Sequence, residues 1–210
     1  MAYCPILLKI RGKKCVVVGG GAVALRKVGM LLDCGARVTV ISPALHPDLA
    51  ALAEEKAIRP VHRDYRAEDL RNATLVIAAT DGKKTNRKVA EDARRAGALV
   101  NVVDDPGPSD FIVPSILRRG DLIISVSTSG ASPALARKIR TRLEKSFDQE
   151  YASLVMLVEE VRNALKQEGV TAGSEAWQES LDPDRLIGLL REGQFEKAKG
   201  LLLDSLKGSL

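Results

Sequence analysis

A chain of 210 residues, 45% of them hydrophobic, can bury a sizeable core and has room for one α/β domain with a smaller partner. Aromatic residues are only 3% of the total, which argues against the stacking platforms that hold single-stranded nucleic acid. The net charge of +5 is interleaved with acids along most of the chain, so a polyanionic small ligand fits it as well as nucleic acid does, and the bias favours an acidic ligand without naming it. The three cysteines, Cys4, Cys15 and Cys34, have no metal-type spacing, no apolar run approaches the ~18 residues of a membrane span, and no leader-like segment opens the chain. The expectation is a soluble, unprocessed protein of a reducing cytoplasm, with neither membrane nor nucleic acid as partner.

Residues 3–10 carry Ile6, Leu7, Leu8 and Ile10 and are expected to lie against the edge of a sheet, followed by a polar turn at 11–14. Cys15-Val16-Val17-Val18 is a wholly apolar strand that runs into Gly19-Gly20-Gly21, and a helix with Val23, Val28, Leu31 and Leu32 follows. A diphosphate is held by unpaired N–H groups at a helix N-terminus, which its oxygens must approach closely. Gly19 suits the sharp turn, Gly21 leaves no Cβ in the way, and the small Ala24 lets helix and strand pack, giving G-x-G-x-x-A. The competing explanation is a glycine-rich βα turn that binds nothing.

The helix is expected to stop near Gly35, and Val-Thr-Val-Ile at 38–41 makes the second strand, reached by a parallel crossover. Ser42-Pro43 closes that strand where an acid for the adenosine ribose often stands, and no Asp or Glu is present. Ser42 either donates to the ribose or only bends the chain, so the choice between NAD and NADP is left open. A helix is expected over 45–56, a strand over 58–65 and a short turn over 67–70. His62-Arg63-Asp64 matches the tripeptide of the kinase catalytic loop, but no other kinase element accompanies it.

Residues 74–81 form the next buried strand, with Thr80 and Asp81 at its carboxyl end and a helix over 85–96 behind. Ligands of open parallel sheets bind at such ends, so these two face the nicotinamide half of a cofactor, unless Asp81 only opens the helix. The strand over 98–103 ends at Asp104-Asp105-Pro106. The alternation then breaks, because 111–117 and 121–128 read as a hairpin around a charged Arg118-Arg119-Gly120 turn.

Ser132 as N-cap and Pro133 at the first position open another helix, with Leu135, Ile139, Leu143 and Phe147 on one face. Arg137, Lys138, Arg140, Arg142 and Lys145 lie elsewhere around it, a basic surface that is either merely solvated or meets an acidic substrate. An amphipathic helix over 150–166 turns Leu154, Leu157 or Val158, Val161 and Leu165 inward. A linker at 169–175 and two helices over 183–206, hinged at Gly193, complete the chain.

The only two histidines, His46 and His62, and the scattered cysteines argue against a dedicated metal site. Neither a G-x-S-x-G elbow nor a Walker loop is present. Hydride transfer asks less of the protein, since the cofactor carries the redox chemistry and one placed acid or base completes it. Among Asp81, Asp104 and Asp105, Asp104 ranks first as general base because it follows its strand directly.

Taken in order, Gly19-Gly20-Gly21-Ala22-Val23-Ala24-Leu25-Arg26-Lys27, Ala78-Ala79-Thr80-Asp81, Asn101-Val102-Val103-Asp104, Phe111-Ile112-Val113-Pro114-Ser115 and Ser129-Gly130-Ala131-Ser132-Pro133 resemble the precorrin-2 dehydrogenase / sirohydrochlorin ferrochelatase family. That family is also found as the N-terminal module of fused siroheme synthases. The resemblance runs from residue 3 to about 143 and implies an α/β, Rossmann-type parallel sheet over 1–113. It further implies a hairpin-and-helix dimerisation segment over 114–148 and a helical C-terminal domain over 149–210.

The implied reaction is NAD-dependent oxidation of precorrin-2 to sirohydrochlorin in siroheme biosynthesis, in some members followed by ferrous iron insertion, a lyase step. The family's key acid falls on Asp104, and its nucleotide contacts fall on Ala22, Val23, Pro43 and Ala44. With a substrate of many carboxylates, Asn101, Arg118, Arg119, Ser129 and Arg137 become candidate contacts. Thr128 stands where the fused enzyme has a phosphorylatable serine, and with no methyltransferase domain the chain is not expected to make precorrin-2 itself. Iron insertion would have to use the macrocycle's own nitrogens, with Asp104 accepting their protons. The alternatives are a non-catalytic NAD-sensing module that signals by dimer rearrangement and, more distantly, an S-adenosylmethionine-dependent methyltransferase.

Overall fold

The computed structural model describes residues 3–208, which divide into two compact units, one ending at Val113 and the other beginning at Pro114. The first unit is a five-stranded sheet in the order β3-β2-β1-β4-β5, with β1 Lys14–Val18, β2 Arg37–Ile41, β3 Ile58–Val61, β4 Leu75–Ala78 and β5 Leu99–Val102. Every pairing in it is parallel. Strand β1 is central and apolar on both faces because both are covered. Cys15 and Val17 pack with Ala24, Val28 and Leu31 of α1 (Ala22–Asp33) and Leu49 of α2 (Pro47–Glu54). Val16 and Val18 pack on the opposite face with Val89, Ala90 and Ala93 of α3 (Lys83–Arg95). Each fully buried valine contributes roughly 1.5–3 kcal/mol of apolar transfer.

Residues 3–10 do not join the sheet. Ile6, Leu7 and Leu8 are 65%, 78% and 47% exposed, and of this segment only Ile10 enters the core. Both edges are closed to such a strand. Asp110 Oδ2 and Ser109 Oγ accept from Val100 N and Val102 N along β5 (3.0 and 2.9 Å), and β3 carries Pro60, which has no N–H to give. Strand β3 is also shorter than expected, since Arg63 N turns back onto Val61 O at 3.0 Å. Residues Ala67–Leu70 form a single 3₁₀ turn.

In the second unit β6 (Ser115–Arg119) and β7 (Leu122–Val126) pair antiparallel, with Arg119 opposite Leu122. The turn is therefore Gly120-Asp121, with Gly120 at φ +55°, and Arg118 and Arg119 belong to the strand rather than to a charged turn. Helix α4 (Pro133–Ser146) is capped by Ser132 Oγ, which accepts from Leu135 N at 3.2 Å. Its expected apolar face is only partly covered, with Leu143 and Phe147 half-buried. Leu135 and Ile139 are 50% and 37% exposed, and the one buried side chain is Ala136, small enough to let the helix sit close on the hairpin.

Helices α5 (Glu150–Gln167), α6 (Ser174–Ser180), α7 (Pro183–Arg191) and α8 (Phe195–Gly208) enclose a core of Leu154, Leu157, Val161, Leu165, Leu186 and Leu202. Helix α6, which begins inside the expected linker, adds Ala176 and Trp177 to that core. Among the described residues no helix is long and apolar enough to cross a membrane.

Candidate functional site

The end of β1 sets the site. Gly19 has φ +120°, and a Cβ there would stand 2.2 Å from Ala79 O, so glycine is required by backbone angle and by space alike. Gly20 is equally constrained, by a contact far away in sequence. Its Cβ would fall 2.1 Å from Ala44 O, and its carbonyl accepts from His46 N at 2.7 Å. These two glycines lock the turn onto the chain leaving β4 and β2. Gly21 differs, because an added Cβ would meet no protein atom within 4 Å. It is the N-cap of α1, no side chain caps that end, and no acid lies in the first turn. The unpaired N–H groups and positive pole of α1 are thus left for an anion.

Gly19, Gly21, Ala22, Val23, Ser42, Pro43, Ala44, Thr80 and Asp81 all line one crevice of about 630 Å³, at the carboxyl ends of β1, β2 and β4. It lies where the strand order reverses between β1 and β4. Its β4 wall is held by a residue that sequence reasoning missed. Asn86, buried in the first turn of α3, accepts from Thr80 Oγ1 at 2.7 Å and donates through Nδ2 to Thr80 O at 2.8 Å. Thr80 Oγ1 also accepts from Gly82 N at 3.2 Å, so the hydroxyl is committed while Asp81 stays exposed.

The chain after β3 supplies Asp64 and Tyr65 to the same crevice. Tyr65 donates to Asp92 Oδ2 at 3.1 Å, and burial together with that bond pushes its phenol well above the usual range. Arg63 grips Asp69 through two bonds of 2.8 and 2.6 Å, which hold the carboxyl below its ordinary value despite partial burial.

Asp104 follows β5 in the left-handed region, at φ +58°, and is exposed. The loop behind it is tied to β5, to α3 and to itself. Asp105 N donates to Val102 O at 3.3 Å, Ser109 Oγ donates to Asp105 O at 2.8 Å, and Arg94 Nε donates to Asp110 Oδ1 at 3.0 Å. Asp104 does not line the crevice. Its charge is nevertheless felt by Lys27 of α1, whose pKa is lowered mainly by burial, further by Arg26, and partly restored by Asp104. Asn101, a candidate substrate contact, is buried with Nδ2 donating to Phe111 O at 3.0 Å, so its amide anchors this loop instead.

In the second unit Arg118 and Arg137 are exposed, and Ser129 is exposed at φ +53°. Arg119 is drawn inward, with Nε donating to Phe147 O at 2.9 Å. Among the described residues no three His, Cys, Asp or Glu side chains are grouped so as to hold a metal ion.

A doubly wound sheet with a glycine turn, a bare helix N-terminus and a crevice at the strand reversal defines a dinucleotide-binding domain. Residues 6–115, more than half of the chain, match the family model described as "Putative NAD(P)-binding", and the chain belongs to that family. Residues 119–146 match a second model, "Sirohaem biosynthesis protein central". The chain is 41% identical over 210 residues to a siroheme synthase of Nitrosococcus oceani, covering 99% of this chain and 45% of that protein. It is also 41% identical over 208 residues to one of Methylococcus capsulatus, covering 98% and 44%. It thus spans less than half the length of these curated relatives. Among solved structures, "SirC, precorrin-2 dehydrogenase" shares the fold, with a TM-score of 0.76 and 24% identity over 94% of this chain and 99% of that one.

Proposed function

We propose that the chain oxidises precorrin-2 to sirohydrochlorin with NAD as electron acceptor, in siroheme biosynthesis in the cytoplasm. The observation that carries this reading is the uncapped α1 N-terminus, open over Gly21, in a domain followed directly by the segment resembling sirohaem biosynthesis proteins. Gly19, Gly21, Ala22 and Val23 hold the diphosphate, Ser42, Pro43 and Ala44 border the adenosine half, and Thr80 and Asp81 border the nicotinamide half. A nicotinamide held there would supply the two-electron acceptor for the substrate's hydride. Loss of that hydride leaves one proton to be removed, and the Asp104 carboxylate takes it. Arg118, Arg137 and Ser129 meet the substrate's carboxylates; Arg119, held to Phe147 O, braces the strand that presents Arg118.

A homodimer formed through residues 114–148, with 149–210 as a helical domain, accounts for the exposed Leu135 and Ile139 face of α4. Ferrous iron is a second substrate in this reading, inserted into sirohydrochlorin while Asp104 accepts the ring N–H protons. One observation favours the non-catalytic NAD-sensing alternative, namely that Asp104 lies outside the crevice lining.

The test is a spectrophotometric assay of precorrin-2 with NAD, followed by ferrous iron in the same cuvette. The Asp104→Ala variant is expected to lose about 10²–10⁴-fold in kcat for the oxidation. Turnover equal to that of the unaltered protein would remove Asp104 from the mechanism, and NAD binding without any turnover would favour the sensor.

A further inference from the structure

The dinucleotide fold usually selects its cofactor with a charge at the end of the second strand, an acid for the free ribose hydroxyls or a cation for a 2′-phosphate. In this chain that position is Ser42, which is neutral, yet the wall around it is not. The Ser42 N–H donates to Val61 O at 3.1 Å, so the chain leaving β3 runs alongside Ser42 and delivers Asp64 to the same crevice. Both neighbours of Asp64 are pinned, Arg63 by its two bonds to Asp69 and Tyr65 by its bond to Asp92. The Asp64 carboxylate itself has no hydrogen bond or ion pair among the described residues. It is presented on a fixed backbone and left unpaired.

The rest of the lining offers a second phosphate no lysine or arginine. The adjacent guanidinium of Arg63 is already neutralised by Asp69, at 2.6 and 2.8 Å. His46, the one lining side chain that can take up a positive charge, turns Nδ1 to the Asp48 N–H at 3.3 Å.

We infer that Asp64, on the chain leaving β3, supplies the selecting carboxylate that the end of β2 lacks, favouring a dinucleotide with a free 2′-hydroxyl over its 2′-phosphorylated counterpart. The inference rests on the crevice being the dinucleotide site. A carboxylate accepts hydrogen bonds from ribose hydroxyls, whereas a phosphate placed near it meets like-charge repulsion with no cation to offset it.

The test is calorimetric titration of the full chain with NAD and, separately, with NADP, which needs no turnover. The unaltered protein is expected to bind NAD at least about tenfold more tightly than NADP. Asp64→Asn should bring the two affinities within about threefold of each other, mainly by tightening NADP, and Asp64→Arg should reverse the order, while Asp64→Glu keeps it. A preference unchanged in Asp64→Asn, with both nucleotides still binding, would overturn the assignment and leave the dinucleotide site standing. Binding of neither nucleotide by the unaltered protein would overturn both.

Discussion

Gly20 and Gly21 adjoin in sequence yet answer to different constraints. With Ala44 O 2.1 Å from its would-be Cβ, Gly20→Ala must push two loops apart, and we expect a loss of about 1–3 kcal/mol in denaturant unfolding. Gly21→Ala meets open space at an ordinary φ of −86°, so stability should hold or rise by about 0.4–1 kcal/mol while NAD affinity measured by titration falls. Equal effects of the two changes on both quantities would contradict the division of labour.

Cys15 gives a pH signature. Burial, and secondarily Cys34, push its thiol up to about 11, so the folded state keeps a proton that the unfolded chain releases near ~8.5. The stabilisation is therefore complete below ~8.5 and is lost as pH rises towards about 11. Unfolding curves should show this slope in the unaltered protein and less of it in Cys15→Ala. Gly19, Gly21 and Ala24 were readable from local pattern because the sharp turn, the open helix N-terminus and the helix packing each leave a local mark, although Gly19 is also held by a distant contact with Ala79 O. Gly20, Asn86 and Asp64 were not, because their places depend on Ala44, on Thr80, and on the chain after β3 running beside Ser42.

At the scale of elements, β1, the glycine turn and α1 were legible because a covered strand and an amphipathic helix each carry their own period. The hairpin was legible as a hairpin, but its turn was misplaced by two residues' worth of charge. The pairing of Arg119 with Leu122 settles the register, and cross-strand pairing leaves no mark in one strand alone. For α4 the repeat located an apolar stripe without saying what covers it, and Ala136 proved to be the packed side.

The return loop on β5 makes a further prediction. Ser109→Ala would leave Val102 N without its 2.9 Å acceptor and release Asp105 O. A cost of about 1–3 kcal/mol and faster amide exchange at Val102 are expected, along with a lower kcat through loss of the loop that carries Asp104. Unchanged exchange at Val102 would mean that the loop does not depend on this hydroxyl.

For the whole molecule, the five strands of the first unit followed from alternating strands and helices, residues 3–10 excepted, and the second unit's helical character followed from its amphipathic spacing. How copies of the chain assemble is a different question, and the exposed Leu135 and Ile139 are where it can be asked. If the proposed dimer forms through this face, Ile139→Glu should convert it to a monomer in analytical ultracentrifugation, leaving NAD binding intact. A dimer that persists would place the interface elsewhere.

The redox claim is tested most directly by mixing the purified chain with precorrin-2 and limiting NAD, and following NADH and sirohydrochlorin together. One NADH for each sirohydrochlorin, with no product when NAD is left out, is the predicted result. Sirohydrochlorin appearing at the same rate without NAD, or NAD bound but never reduced, would contradict it.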